Sequence, residues 1–222
     1  MRALPAGIPP WQPILHDGHS VGLAENAQTL FRMAIEPSCS AIAAELANAP
    51  RGPDERSWQK WGQLRDAQLE LHRSYALALG GLWERHFRRH LFHSASALGP
   101  NTKTKLKDIE EGGWKTLSAL FVETRGFPLT KFASHDDLEL LFSVTSVVRH
   151  GNGNSSRTLF ATNPRLFSNQ PHSDWFSYFT LGGEPAHSIH NLEITFDDLV
   201  RFKDAIIDFW ETISRLHASS SA

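Results

Sequence analysis

Ser134-His-Asp-Asp-Leu-Glu-Leu-Leu-Phe-Ser-Val-Thr-Ser-Val-Val-Arg-His-Gly-Asn-Gly153 carries its own start and stop for one helix. Ser134 with Asp137 resembles a capping box, and the acidic first turn suits the positive end of a helix dipole. Leu138, Leu140, Leu141, Val144, Val147 and Val148 come next. Apolar residues on nearly every side mark a helix buried among others. Gly151 is the residue type that takes the left-handed conformation ending such a helix.

The chain on either side reads the same way. Leu23, Ala27, Leu30, Phe31 and Ala34 have helix spacing, and Pro37 is expected to kink or end that helix before Ser38–Asn48 continues it. Residues 49–54, Ala-Pro-Arg-Gly-Pro-Asp, form a loop. From Ser57 to about Ala97 there is no proline, and Trp61, Leu64, Leu71, Tyr75, Ala78, Leu82 and Leu91 trace one face. Unbroken, this helix would span roughly 60 Å at about 1.5 Å per residue. Thr104–Glu111 and Trp114–Arg125 form a shorter pair separated by Gly112-Gly113. Residues 151–194, rich in Gly, Asn, Ser, Pro and His, predict a long irregular excursion with a small hairpin near Thr180–Glu184. Thr195-Phe-Asp-Asp198 opens a last helix whose stripe is Leu199, Phe202, Ile206, Phe209, Trp210, Ile213 and Leu216. The pattern predicts an all-α domain over 21–218, preceded by a 1–20 tail that Trp11 and Ile14-Leu15 can anchor, and succeeded by a frayed 219–222.

Composition narrows the function classes. The 222 residues are 41% hydrophobic, enough for one sizeable core, and the formal charge of −2 gives no pervasive basic field for nucleic acid. An anion site must therefore be local. Cys39 is the only cysteine, which excludes a disulfide framework and fits a reducing, cytoplasmic compartment. No apolar run approaches the roughly 20 residues that cross a bilayer, so no membrane partner is expected. Pro5, Pro9 and Pro10 interrupt the stretch after Arg2, and the N-terminus does not read as a signal peptide. No Walker loop, dinucleotide fingerprint or nucleophile elbow is present, and no cofactor is expected.

Two clusters carry candidate chemistry. Arg149 and His150 close the buried helix, where unpaired carbonyls favour a cation. Histidine suits proton transfer near neutrality, and guanidinium grips phosphate through two parallel hydrogen bonds. Gly151 and Gly153 let backbone approach a ligand, and Asn152, Asn154 and Arg157 add donors. The plainer reading is ordinary C-terminal capping. The second cluster is Trp83-Glu-Arg-His-Phe-Arg-Arg-His90 with His93. Arg85 and Arg89 share one stripe, and Glu84 and Arg88 are spaced to pair. His86, His90 and His93 lie on another face. This reads either as a basic ridge for phosphates or as a solvated helix face, and no carboxylate sits at metal-ligand spacing.

In this order the segments resemble a bacterial branch of the HEPN superfamily of α-helical domains. The matching pieces are Leu79–Arg85 on the long helix, Asp137–Leu141, Arg149–Gly153, Asn163–Phe167 and Leu192–Thr195 before the closing amphipathic helix. The resemblance covers residues 57–215. It implies a bundle of four to five main helices that dimerises. It further implies a metal-independent ribonuclease of a toxin–antitoxin or antiphage system, with RNA or a nucleotide and an antitoxin protein as partners. His150 would then be the acid or base and Arg149 the phosphate binder, with Arg157, Asn152, Asn154, Arg88 and Arg85 as phosphate or RNA contacts. The alternative it implies is a non-catalytic module that binds a nucleotide or a protein. The family's nuclease motif spaces Arg four to six residues ahead of His, whereas Arg149 and His150 are adjacent and point about 100° apart on a helix.

Overall fold

A computed structural model describes residues 7–49, 55–98, 102–168 and 186–220. Among them are eight α-helices and no β-strand, only one isolated antiparallel bridge between Phe167 and Leu192. The helices are α1 (Ser20–Leu30), α2 (Glu36–Asn48), α3 (Glu55–Leu98), α4 (Thr102–Glu111), α5 (Trp114–Arg125), α6 (His135–His150), α7 (Asn154–Thr162) and α8 (Phe196–Ser220). No helix among the described residues is long and apolar enough to cross a membrane.

The chain groups into two compact units. The first takes Met1–Phe31, Leu79–Phe142 and Arg201–Ala222. Its core is aromatic: Trp83 stacks on Phe87 with ring centroids 4.8 Å apart, Phe87 meets Phe209 edge-on at 5.7 Å, and Phe132 lies 4.9 Å from Phe209. These rings are all but sealed from water. Such pairs add about 0.5–1.5 kcal/mol each beyond burial. Residues 7–19 are anchored to this unit. Trp11 and Ile14 are buried there, while Leu15, the third expected anchor, is 90% exposed.

The second unit takes Arg32–Ala78 and Ser143–Val200. Ile35, Leu69, Val144, Val147, Leu159, Leu166 and Ile194 are among its buried apolar residues. Two polar side chains of α3 grip the segment before α8. Arg73 donates to the carbonyls of His190 and Leu192 at 2.8–3.0 Å, and His72 Nδ1 lies 2.7 Å from the Ile194 carbonyl. Each bond satisfies a backbone oxygen that no strand or helix would otherwise pair.

Several expectations change. Pro37 does not end the helical run: a π-helical turn, Phe31–Ile35, precedes it and α2 continues to Asn48. A wider turn removes the need for the N–H that proline lacks. The irregular excursion is partly helical, because Asn154–Thr162 forms α7 with Ser156 and Leu159 buried. Nine residues are too few to display a helical period among so many Gly, Asn and Ser. The expected hairpin near Thr180–Glu184 lies outside the described residues, as does the 50–54 part of the expected loop. The helix after Ser134 starts where predicted, but the buried Ser134 hydroxyl has no hydrogen-bond partner among the described residues, so no side-chain cap forms there.

The Thr195 box forms in full. The Asp198 N–H donates to Thr195 Oγ1 at 3.1 Å, and the Thr195 N–H donates to Asp198 Oδ2 at 3.1 Å. Arg165 adds a 3.0 Å bond to Asp198 Oδ1. Burial would raise the Asp198 carboxyl, but the bonds from Thr195 and Arg165 outweigh it and hold it below the usual range. Asp198→Ala is therefore expected to cost about 1–2 kcal/mol, for losing the carboxylate that bonds back to the Thr195 cap and its bond to Arg165. Urea unfolding near pH 7 measures it, and the deficit should shrink as acid protonates the wild-type carboxyl.

Candidate functional site

The end of α6 is built as the sequence suggests. Val144 and Val147 are fully buried, and Arg149 and His150 emerge into solvent at the last turn. Gly151 has φ +69° and its N–H bonds the Val147 carbonyl at 2.8 Å, which closes the helix. A side chain at that φ would be strained. Three residues later α7 begins. Its N-cap, Gly153, offers no side-chain hydrogen bond, so the first N–H groups of α7 keep their capacity for an external acceptor. Arg157 stands exposed on the first turns of α7, and Asn154 is exposed at its start. A cation, an imidazole, an uncapped helix start and a second cation thus fall within nine consecutive residues, 149–157.

The other expected contacts fare differently. The Asn152 side chain is engaged: its Oδ1 accepts the Ile189 N–H at 2.6 Å and ties the turn to the 189–191 segment. Arg88 is also committed. It holds Glu84 through Nε (3.0 Å) and Nη2 (2.6 Å), donates to the Gly112 carbonyl at 2.8 Å and to the Ile109 carbonyl through Nη1. Two donors fasten the α4–α5 junction and two hold Glu84, so four of the five are taken and little is left for a phosphate. Arg85 is exposed on the same helix.

Local sequence patterns do not single out a second assembly, in the first unit. Asp17 is fully buried. Its carboxylate accepts Trp11 Nε1 at 2.9 Å, the Ile14 N–H at 3.0 Å and Arg125 Nη2 at 2.7 Å. Arg125 lies 4.1 Å over the Trp11 ring, donates to the Gln12 carbonyl at 2.9 Å and meets His90 Nε2 at 3.2 Å. His90, on the inner face of α3, is completely buried. Beyond it lie His16 and His93, their rings stacked 4.4 Å apart. The α3 histidines are visible in the sequence as one helix face. Asp17 and Arg125 are 108 positions apart, and no local pattern joins them.

Burial drives the histidines toward their neutral forms, and neighbouring cations add to it. His90 is held well below its ordinary value by burial, then by Arg125, His16 and His93. His16 is lowered to about 4 by burial, then by His93, Arg89, His19 and His86. His86 is lowered by burial, then by Arg85 and Arg89, and His93 by burial, then by Arg89 and His19. A histidine whose folded value is depressed binds its proton in the unfolded chain first. Its contribution is therefore present above about pH 6.5 and lost as pH falls below it. His90 alone should approach one proton, a slope of about 1.4 kcal/mol per pH unit. Denaturation midpoints at pH 7.5, 6.5 and 5.5 should fall progressively more steeply. A flat profile over that range would contradict the burial of these imidazoles.

Among the described residues no three His, Cys, Asp or Glu side chains are arranged to hold a metal ion. Cys39 is buried, and burial pushes its thiol up, away from reactivity. No family model, curated protein or solved structure matches the chain.

Proposed function

We propose that this chain is a HEPN-like effector that cleaves RNA without a metal ion, with His150 and Arg149 at its reacting centre. The carrying observation is that both side chains are exposed at the end of an otherwise buried helix, beside the uncapped start of α7 and the exposed Arg157. Phosphodiester chemistry needs a proton acceptor, a cation for the charge gathering on phosphorus, and donors for the phosphate oxygens. His150 takes the proton of a ribose 2′-hydroxyl. The 2′-oxygen bonds to phosphorus as the bond to the 5′-oxygen breaks. The leaving oxygen takes a proton from the imidazolium of a second copy in a homodimer. Arg149 bridges the phosphoryl oxygens meanwhile.

The Asn152 tether to Ile189 favours a second reading, a HEPN-like module in which the turn shapes a binding surface for a nucleotide or an antitoxin protein without reacting. A labelled single-stranded RNA incubated in EDTA with wild type and with His150→Ala separates the two. Cleavage by wild type that is lost in the variant supports the nuclease. Equal cleavage by both removes His150 from the mechanism. Binding by wild type without cleavage favours the module.

A further inference from the structure

We propose that the cavity formed by residues 15–26 and the His86–His93 face of α3 is a binding site for a small organic phosphomonoester. It has a volume of about 560 Å³ and lies wholly in the first unit. That size suits a ligand of roughly mononucleotide dimensions and is far larger than a lone inorganic anion.

The walls are chemically one-sided. His16, His19, His86 and His93 line it together with Arg89. Arg89 is exposed and forms no ion pair among the described residues. Glu25 is the one carboxylate on the wall, and Asn26 is next to it. Two imidazole nitrogens, His16 Nε2 and His86 Nδ1, are buried with no hydrogen-bond partner among the described residues. Both atoms are closed off by neighbouring protein, so what the cavity presents to a ligand is the accessible part of the imidazoles and the exposed Arg89 guanidinium. A transition metal would also satisfy imidazoles, but no metal-holding trio exists among the described residues.

A phosphomonoester fits the remaining features. Its second ionisation lies near pH 6, so it can share a proton with imidazoles at neutral pH. Its oxygens match the fork of Arg89. Glu25 and Asn26 offer acceptors to the hydroxyl or amino groups of the organic part, which a bare phosphate lacks. A proton gained by His16, His86 or His93 is opposed by neighbouring cations, Arg89 among them in each case. The groups bearing on this charge are His16, His19, Glu25, His86, Arg89 and His93, with the Asp17–Arg125–His90 network beneath and His217 of α8 within 3.9 Å of a Cβ placed at Gly18. A bound dianion reverses that opposition, and binding should therefore take up protons.

Isothermal titration of the full chain with AMP, ribose 5-phosphate, inorganic phosphate and sulfate tests the proposal. The runs use two buffers of different ionisation enthalpy at pH 6.5 and 8. One-site binding is expected, tighter for the organic esters than for inorganic phosphate, several-fold stronger at pH 6.5, with net proton uptake. Arg89→Gln should weaken it at least tenfold. Gly22→Leu should do the same by occupying the cavity. A Cβ at Gly22 meets nothing within 4 Å and the residue is helical, so that variant should keep the wild-type melting temperature. His150→Ala should bind like wild type, which separates this site from the nuclease reading. Three results would overturn the proposal: no binding of any of the four at millimolar concentration, sulfate binding as tightly as AMP (an adventitious ion only), or affinity unchanged in both cavity variants.

Discussion

Asp17→Ala is expected to melt roughly 6–20 °C below wild type, from about 3–5 kcal/mol for stranding a buried charge and about 2–4 °C per kcal/mol at this chain length. Among the described residues its carboxylate is the buried anion that pairs with the Arg125 guanidinium, and both side chains are almost fully sealed from water. Without it Arg125 keeps the Gln12 carbonyl and the His90 nitrogen, neither of which carries charge to offset its own. Trp11 Nε1 and the Ile14 N–H also lose their acceptor, and with them the anchorage of residues 11–17. The Asp17→Ala/Arg125→Ala double variant should lose less than the sum of the singles, because removing both partners leaves no orphaned charge. A loss below about 1 kcal/mol in the single variant, from thermal or urea unfolding, would show that the network bears little of the first unit's stability.

The second large effect is catalytic. His150→Ala is expected to lower metal-free RNA cleavage by about 10²–10⁴-fold, the range for removing a general acid or base. Arg149→Ala should lose about 10²–10³-fold, as when one donor to developing charge is removed. Both residues are exposed, so neither change should move the melting temperature by more than about 1–2 °C. Arg88→Ala should behave oppositely. It strips the α4–α5 junction of its clasp, lowers stability and leaves the chemistry of the surviving folded molecules intact.

These contrasts reflect which parts of the molecule local sequence can reveal. The α6 helix is readable because its apolar residues, its glycine stop and its terminal cations all act within a turn or two of one another. The Thr195–Asp198 box is readable for the same reason: its bonds span three residues. Ser134 offers the same letters, yet its hydroxyl is turned to no partner among the described residues, since packing decides which way a serine rotates. Pro37 misleads because a π-turn upstream absorbs the missing bond. Arg88 reads as a phosphate-binding cation because its carbonyl partners lie 21 and 24 positions away. The histidine cavity is half visible. The 86, 90 and 93 spacing stands out on α3, but His16 and His19 reach it from a segment whose prolines and glycines suggest a tail.

The proposed mechanism has the exposed imidazole and guanidinium at the end of α6 drive attack by a ribose 2′-hydroxyl. Mass spectrometry of the ends left on a defined RNA, cleaved in EDTA by wild type and by His150→Ala, tests it most directly. Fragments ending in 2′,3′-cyclic phosphate, formed by wild type and missing with the variant, are the expected result. Fragments with 3′-hydroxyl and 5′-phosphate ends would contradict it, since water rather than the ribose would then be the nucleophile.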